Sequence, residues 1–453
     1  MNGNKSKFDL ALDKLRELIQ RLHEEVSANE PPDVEKLFQE GVQTRIFQRA
    51  AYGSLVLFGE RSDQYRDAML DVYKATDPKA ERISFGAAES ATQLAILKAL
   101  DPLKKQATLG FSQRLETAIA ELRKTLREQP AGWIVQMEVA GLLPDGLPRT
   151  IGDTEFYVMD HNRLSILQAH VAKSIDSTCS PVAVKDEAKR TVVEHTSQVW
   201  LGKICADVRV FASEPEAANV LAVQRLRLTM DVVNFFAGIL VSTDARLYLP
   251  WEANPHIANS LTFTNDREQG NLGRCWRGPW IPLSLGQMAS PRADKAGFSK
   301  ASTILAKANP NTLENRLLSA MRWAGRASVE DRREEAFLLF VVSLESLLLD
   351  NQDNQQLRYR FGIRGAHLLG TTLKAKTDIN KKLKDIYDLR SAVVHSGSTE
   401  ITDANRDTVH YFARRALYRV LVTKPFTDMA TEAELDQWFE KQILGSDSTE
   451  PRA

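Results

Sequence analysis

Leu383–Gly397 reads LKDIYDLRSAVVHSG, and its spacing predicts an amphipathic helix with Leu383, Ile386 and Val393 on one apolar stripe. Arg390 follows Leu383 by two helical turns, so it lies within about 20° of that residue on the helical wheel. An arginine on a core-facing stripe is costly unless it is paired or opens onto a cleft. His395, further along, lies about 140° round from Arg390 on an unbroken helix. The two side chains converge if the helix stops near Val394, where Ser396-Gly397 is a stop signal. They also converge if two copies of the pair face each other across a symmetric dimer.

Outward from this stretch, the chain reads as helical from about Asn311 onward. Leu313, Leu317, Ala320, Met321 and Ala324 mark a first helix, and Ala336–Leu349 a second. Leu357–Leu369 is a third, Ile379–Val394 the fourth, and Val409, Phe412, Ala413, Ala416, Leu417 and Val420 lie on a fifth. Short connections make these antiparallel neighbours in a bundle. The second helix, AFLLFVVSLESLLL, is apolar except for Ser343, Glu345 and Ser346. Glu345 stands among Val341, Val342, Leu348 and Leu349 on the wheel and needs a cationic or hydrogen-bonding partner. Arg390 or His395 would make it part of a site; Arg364 would make it a structural ion pair.

The remainder reads as mixed. Phe8, Leu12, Leu15, Ile19, Leu22 and Val26 form one seam on a helix ended by Glu30-Pro31-Pro32. That seam packs on the protein's own body or serves as an oligomerisation helix. A second helix runs from about Leu109 to Glu128. Trp133–Val139, Thr154–Met159 and Ile204–Ala212 read as strands, and Ser213-Glu-Pro-Glu216 opens a long helix to about Leu240. The Gly141–Gly152 loop lacks the phosphate-binding patterns GKT/GKS and GxGxxG. The fold class expected is thus α+β multidomain. It comprises an N-terminal helical region (1–130), a central mixed α/β region (131–300) suited to a sensor or regulatory role, an all-α helical bundle (301–424), and a C-terminal helix and tail (425–453).

Composition bounds the function classes. With 59 basic and 59 acidic side chains, no global field holds nucleic acid, and any such binding needs a local patch or a dimer groove. Cys179, Cys205 and Cys275 are far apart and lack CxxC spacing, against a disulfide framework or structural zinc and in keeping with a reducing cytoplasm. MNGNKSKFDL has no signal-peptide core, and the longest apolar run, Ala336–Val342, is too short to span a bilayer. The expectation is a cytoplasmic protein with no membrane association, no cofactor and no metal.

Arginine beside histidine is a sufficient set for cleaving RNA. The 2′-hydroxyl is the built-in nucleophile, histidine moves its proton near neutrality, and arginine stabilises charge developing on phosphorus. Spacing alone does not select the pair: Arg163/His170, Arg190/His195, Arg360/His367 and Arg390/His395 all match Arg-x4–6-His. Burial context selects Arg390 and His395, with Glu345 and Tyr387 in support. Arg360, Arg364, Arg414 and Arg415 are candidate RNA-binding cations, with Tyr359, Tyr387 and Tyr411 as stacking surfaces.

These residues resemble a known family. IYDLRSAVVHSG, the helix ending Leu344-Glu345-Ser-Leu-Leu and the stretch Arg364-Gly-Ala-His-Leu-Leu look like the Apea-like branch of the HEPN superfamily, over roughly Asn311–Val422. The resemblance implies a four- or five-helix bundle that dimerises and brings two Arg/His pairs into one cleft. It also implies metal-independent endoribonuclease activity leaving 2′,3′-cyclic phosphate and 5′-hydroxyl ends, often in antiviral or toxin systems. Ser391 departs from the Asn, Asp or His that many active HEPN nucleases carry after the arginine. The partners expected are RNA, a second copy through the bundle, and a phage-derived or other protein trigger acting on the N-terminal region. The rival readings are a non-catalytic HEPN dimerisation or docking module and a nucleotide-binding or nucleotide-modifying partner.

Overall fold

A computed structural model of the protein describes residues 6–26, 44–49, 53–58, 60–76, 83, 85–100, 110–127, 130–178, 182–241, 245–250, 258–263, 270–275, 281–349, 356–396 and 400–445. The Glu30-Pro31-Pro32 stop, Cys179, His256, Gly397 and the polar end after Gly445 lie outside these residues. Two compact units emerge: Met1–Val135 with Arg209–Val223, and Gln136–Val208 with Gln224–Ala453. The fold is mostly helical with a small four-stranded sheet, an α+β layout. Among the described residues no helix is long and apolar enough to cross a membrane.

The first unit contains α1 (Lys7–Val26), the antiparallel hairpin β1 (Thr44–Arg49) and β2 (Gly53–Phe58), α2 (Glu60–Ala75), α3 (Phe85–Leu100) and α4 (Phe111–Leu126). The hairpin falls within 1–130, where the sequence leads to an expectation of helices alone. On α1, Phe8, Leu12, Leu15, Ile19 and Leu22 are buried in one core with Tyr65, Met69 and Val72 of α2 and Leu115, Ile119 and Leu122 of α4. The α1 seam therefore packs on its own unit, and burying each such side chain contributes about 1.5–3 kcal/mol.

A four-stranded sheet follows the order β3-β6-β5-β4, from β3 (Ala131–Glu138), β4 (Arg149–Ile151), β5 (Thr154–Val158) and β6 (Ile204–Ala212). Strand β5 is antiparallel to both of its neighbours. Helices α5 (His161–Thr178) and α6 (Val182–Trp200) separate β5 from β6 in sequence and pair with each other. Tyr157, Met159, Leu164 and Cys205 form a small core there, and burial pushes the Cys205 thiol up to about 12, an inert thiol. Next comes the long α7 (Pro215–Leu240), with proline at its first position as its sequence requires. Beyond it are the hairpin β7 (Ala258–Phe263) and β8 (Gly270–Cys275), α8 (Pro291–Ala296) and α9 (Phe298–Leu305). Phe236 of α7 meets Phe298 of α9 edge-on at 5.3 Å.

The bundle is built from α10 (Thr312–Val329), α11 (Arg333–Leu348), α12 (Leu357–Leu369), α13 (Leu373–Ser396), α14 (Asp403–Val422) and α15 (Glu432–Leu444). Capping boxes at Asn311/Glu314, Thr402/Asn405 and Thr431/Glu434 open α10, α14 and α15. The centre is α11, apolar on most of its surface and packed on α10 and α14; its buried Ser343 donates to the Ala320 carbonyl at 2.7 Å. Gly365 lets α12 meet α13 closely, because a Cβ there would stand 2.2 Å from Leu383 Cδ1. Rather than lying outside the bundle, α15 packs on α10 and α12.

Candidate functional site

The apolar stripe of α13 places its arginine. Leu383 and Ile386 are buried, and one turn further on Arg390 emerges with its side chain 29% exposed. Its Nε lies 3.4 Å from Glu345 Oε1, on α11. Of the three partners expected for Glu345, the structure brings Arg390 to it; His395 lies on another face of its helix and Arg364 is engaged elsewhere. Burial raises the Glu345 carboxyl above the ordinary carboxylate value, and the Arg390 charge offsets part of that rise. Tyr387, one turn before Arg390, rests near the Phe361 ring, 5.7 Å between centroids. Its hydroxyl is pushed up by burial and then by the Glu345 charge. Ser391 is partly buried at the adjoining position.

Arg390, Glu345 and Tyr387 share a cleft of about 630 Å³ with Asn315, Arg316 and Ser319 of α10. Arg316 lies on the apolar face of α10, where the reasoning that singled out Arg390 applies equally, yet its role comes from residues remote in sequence. It donates to the carbonyls of Ser346 (3.1 Å) and Leu349 (2.8 Å) and pairs with Asp436 of α15 at 3.3 Å. Arg364 donates to the Leu348 carbonyl and to Asp436 Oδ1, at 2.9 and 2.8 Å. Two buried guanidiniums therefore satisfy the open carbonyls at the α11 C-terminus, where positive charge also complements the helix dipole. Among the described residues Asp436 is the carboxylate that both approach. Glu432, at the start of α15, completes the cleft wall, and its backbone N–H donates to Thr312 Oγ1 at 3.0 Å.

His395 is exposed in the last turn of α13. The helix continues to Ser396 instead of stopping near Val394, so the histidine stays about 140° round from Arg390. Within one chain the pair does not converge, and His395 is not in the cleft lining. The RNA-facing role expected of Arg364 is corrected: the side chain is 6% exposed and bound to Asp436. Arg414 is half-buried beneath α8, and burial, then the Arg292 charge, lowers its affinity for its proton. Arg415 is exposed and donates to the Tyr411 hydroxyl at 2.9 Å, while Arg360 is partly buried. Among the rival Arg/His pairs, Arg163 is held by Glu155 at 2.7 Å over the Tyr157 ring.

Two further histidines are packing groups. His410 stacks on Phe340, 4.6 Å between centroids, and burial together with Arg414 holds its imidazole down at about 4. His367 Nδ1 lies 3.1 Å from Lys376 Nζ, and burial and that charge lower it as well. Among the described residues no three His, Cys, Asp or Glu side chains gather as metal ligands would. The chemistry on offer is that of a guanidinium oriented by a carboxylate in an open polar cleft. Comparison with family models, curated proteins and solved structures returned no match.

Proposed function

We propose that the bundle is an Apea-like HEPN domain acting as a metal-independent endoribonuclease in an antiviral or toxin-like system, with Arg390 and His395 as its catalytic pair. The observation that carries this reading is the setting of Arg390. It is tethered by Glu345 at one edge, borders a cleft of about 630 Å³, and makes no other ion pair among the described residues. Its remaining N–H groups are available to a phosphodiester, whose oxygens they match as a fork.

The proton-moving group comes from a second copy. In one chain His395 stands on a different face of α13 from Arg390, so a two-fold dimer with His395 of each protomer beside Arg390 of its partner makes two composite sites. His395 takes the 2′-hydroxyl proton as the 2′-oxygen attacks phosphorus, and the guanidinium stabilises the phosphorane oxygens. The bond to the 5′-oxygen then breaks, and that oxygen leaves with a proton returned by the imidazolium. The products are a 2′,3′-cyclic phosphate and a 5′-hydroxyl. Glu345 and Tyr387 orient Arg390. The cytoplasm is the compartment in which this activity meets RNA, and a protein trigger acting on the N-terminal unit is the control this reading assigns.

Purified protein incubated with RNA and with matching DNA in EDTA tests this. RNA is cut, DNA stays intact, and Arg390→Ala lowers the rate about 10²–10³-fold, as removal of one transition-state stabiliser does. Unchanged cutting by Arg390→Ala/His395→Ala overturns the assignment. The Arg390–Glu345 contact itself favours a second reading, a non-catalytic HEPN module in which the pair is an internal polar tie. That reading expects no cleavage, with dimerisation or partner binding retained in His395→Ala.

A further inference from the structure

A second cleft, of about 400 Å³, lies between α7, the segment 245–248 and the far end of α10. Its charged lining is Arg227, Arg246, Arg322 and Arg326 against Asp231 and Glu330. Cations outnumber carboxylates two to one, in a chain whose charges otherwise balance.

The walls are built rather than incidental. Helices α7 and α10 touch backbone to backbone, since a Cβ on Gly325 would stand 1.8 Å from the Asp231 carbonyl oxygen. That crossing places Arg322 and Arg326, one turn before and just after it, beside the Arg227–Asp231 turn of α7. The Asn234 amide fixes the opposite wall by both of its ends. Its Nδ2 donates to the Leu247 carbonyl at 2.9 Å, and its Oδ1 accepts from the Leu247 N–H at 2.7 Å. Arg246 is anchored to Asp331 at 2.7 Å, and Tyr248 pairs through its backbone with Ala140.

Arg322 and Arg326 stand one turn apart on α10 and flank the Trp323 ring, 5.6 and 5.4 Å from its centroid. Among the described residues neither forms an ion pair with a carboxylate. Like charges at this spacing disfavour a helix, and an anion between them removes that repulsion. Met230, Leu247 and the half-buried Tyr248 ring supply an apolar side to the same cleft. We propose that this cleft binds a small organic phosphate of mononucleotide size, its phosphate between Arg322 and Arg326 and its flat apolar part toward Tyr248. A guanidinium pair suits phosphate oxygens, and the volume lies in the range of small-molecule sites. The assignment is independent of the ribonuclease reading, because none of these residues borders the Arg390 cleft.

Inorganic pyrophosphate and AMP are the probes, added at millimolar concentration to the full chain with melting temperature and calorimetric affinity as readouts. Both ligands raise the melting temperature, AMP more strongly. Arg322→Gln/Arg326→Gln, an exposed pair whose loss leaves the circular-dichroism spectrum unchanged, weakens both ligands by about tenfold or more per guanidinium removed. Tyr248→Ala brings AMP down to the pyrophosphate level, while Arg390→Ala leaves both affinities unchanged. The proposal fails if neither ligand binds, or if the double variant binds as the parent does. It also fails if only a short single-stranded RNA binds through these arginines.

Discussion

Asp436 accepts from Arg364 at 2.8 Å and stands 3.3 Å from Arg316, so one carboxylate of α15 balances two buried guanidiniums that finish α11. Breaking a buried pair from one side leaves uncompensated charge, at a cost of about 3–5 kcal/mol. Asp436→Ala is therefore expected to destabilise the second unit by about 3 kcal/mol or more in urea unfolding, and Asp436→Asn by less because an amide still accepts. A loss below about 1 kcal/mol would mean that the arginines find other partners.

Glu345 sets a pH dependence of the opposite sense to an ordinary paired carboxylate. Its folded-state value is raised above the reference of 4.5, so the native state holds this proton more tightly than the unfolded chain. Stability associated with the neutral form is complete below the unfolded value and is lost as pH rises through the folded value. Glu345→Gln should match the parent at about pH 4 and gain on it by about pH 8 in paired denaturation curves. A parent that gains on Glu345→Gln with rising pH contradicts the burial argument.

His410 acts at lower pH. Its imidazole, held down at about 4 from 6.5, resists protonation in the native state, so stability falls as pH drops from 6.5 towards 4 and levels off beneath. At 1.36 kcal/mol per pKa unit the loss is at most about 3 kcal/mol. His410→Phe, which can keep a ring against Phe340, should flatten that part of the stability–pH curve. An unchanged slope would assign the acid sensitivity to other groups.

Composite sites make a complementation prediction. Arg390→Ala and His395→Ala are each inactive as homodimers; mixed, they form heterodimers in which one of two clefts keeps both groups. Cutting should return to about a quarter of the parent rate after subunit exchange. No recovery despite demonstrated exchange rules out a site shared between protomers.

Local patterns carried much of this architecture. The helices from Thr312 to Val422 and the strands β3, β5 and β6 follow from apolar spacing, because their burial repeats within a few residues. The same logic singles out Glu345 and Arg390 as an embedded carboxylate and guanidinium, and the structure puts them together. It left Arg316 and Asp436 unnoticed as partners, since no local period connects residues so far apart. Arg364, open in the sequence to an RNA-binding role or to a pair with Glu345, takes Asp436 instead, because an arginine among apolar residues looks identical whichever carboxylate it meets. The β1–β2 hairpin escaped because its short strands alternate weakly, and the second cleft because its arginines come from three separate segments.

The shared carboxylate also changes where the protein is open to control. Since Glu432 lines the Arg390 cleft and Asp436 holds the arginine that forms its wall, α15 is a latch on the surroundings of the motif. A partner that draws α15 away would strip the carboxylate from Arg316 and Arg364, the two guanidiniums that cap α11. Such an event would reach Arg390 without touching α13.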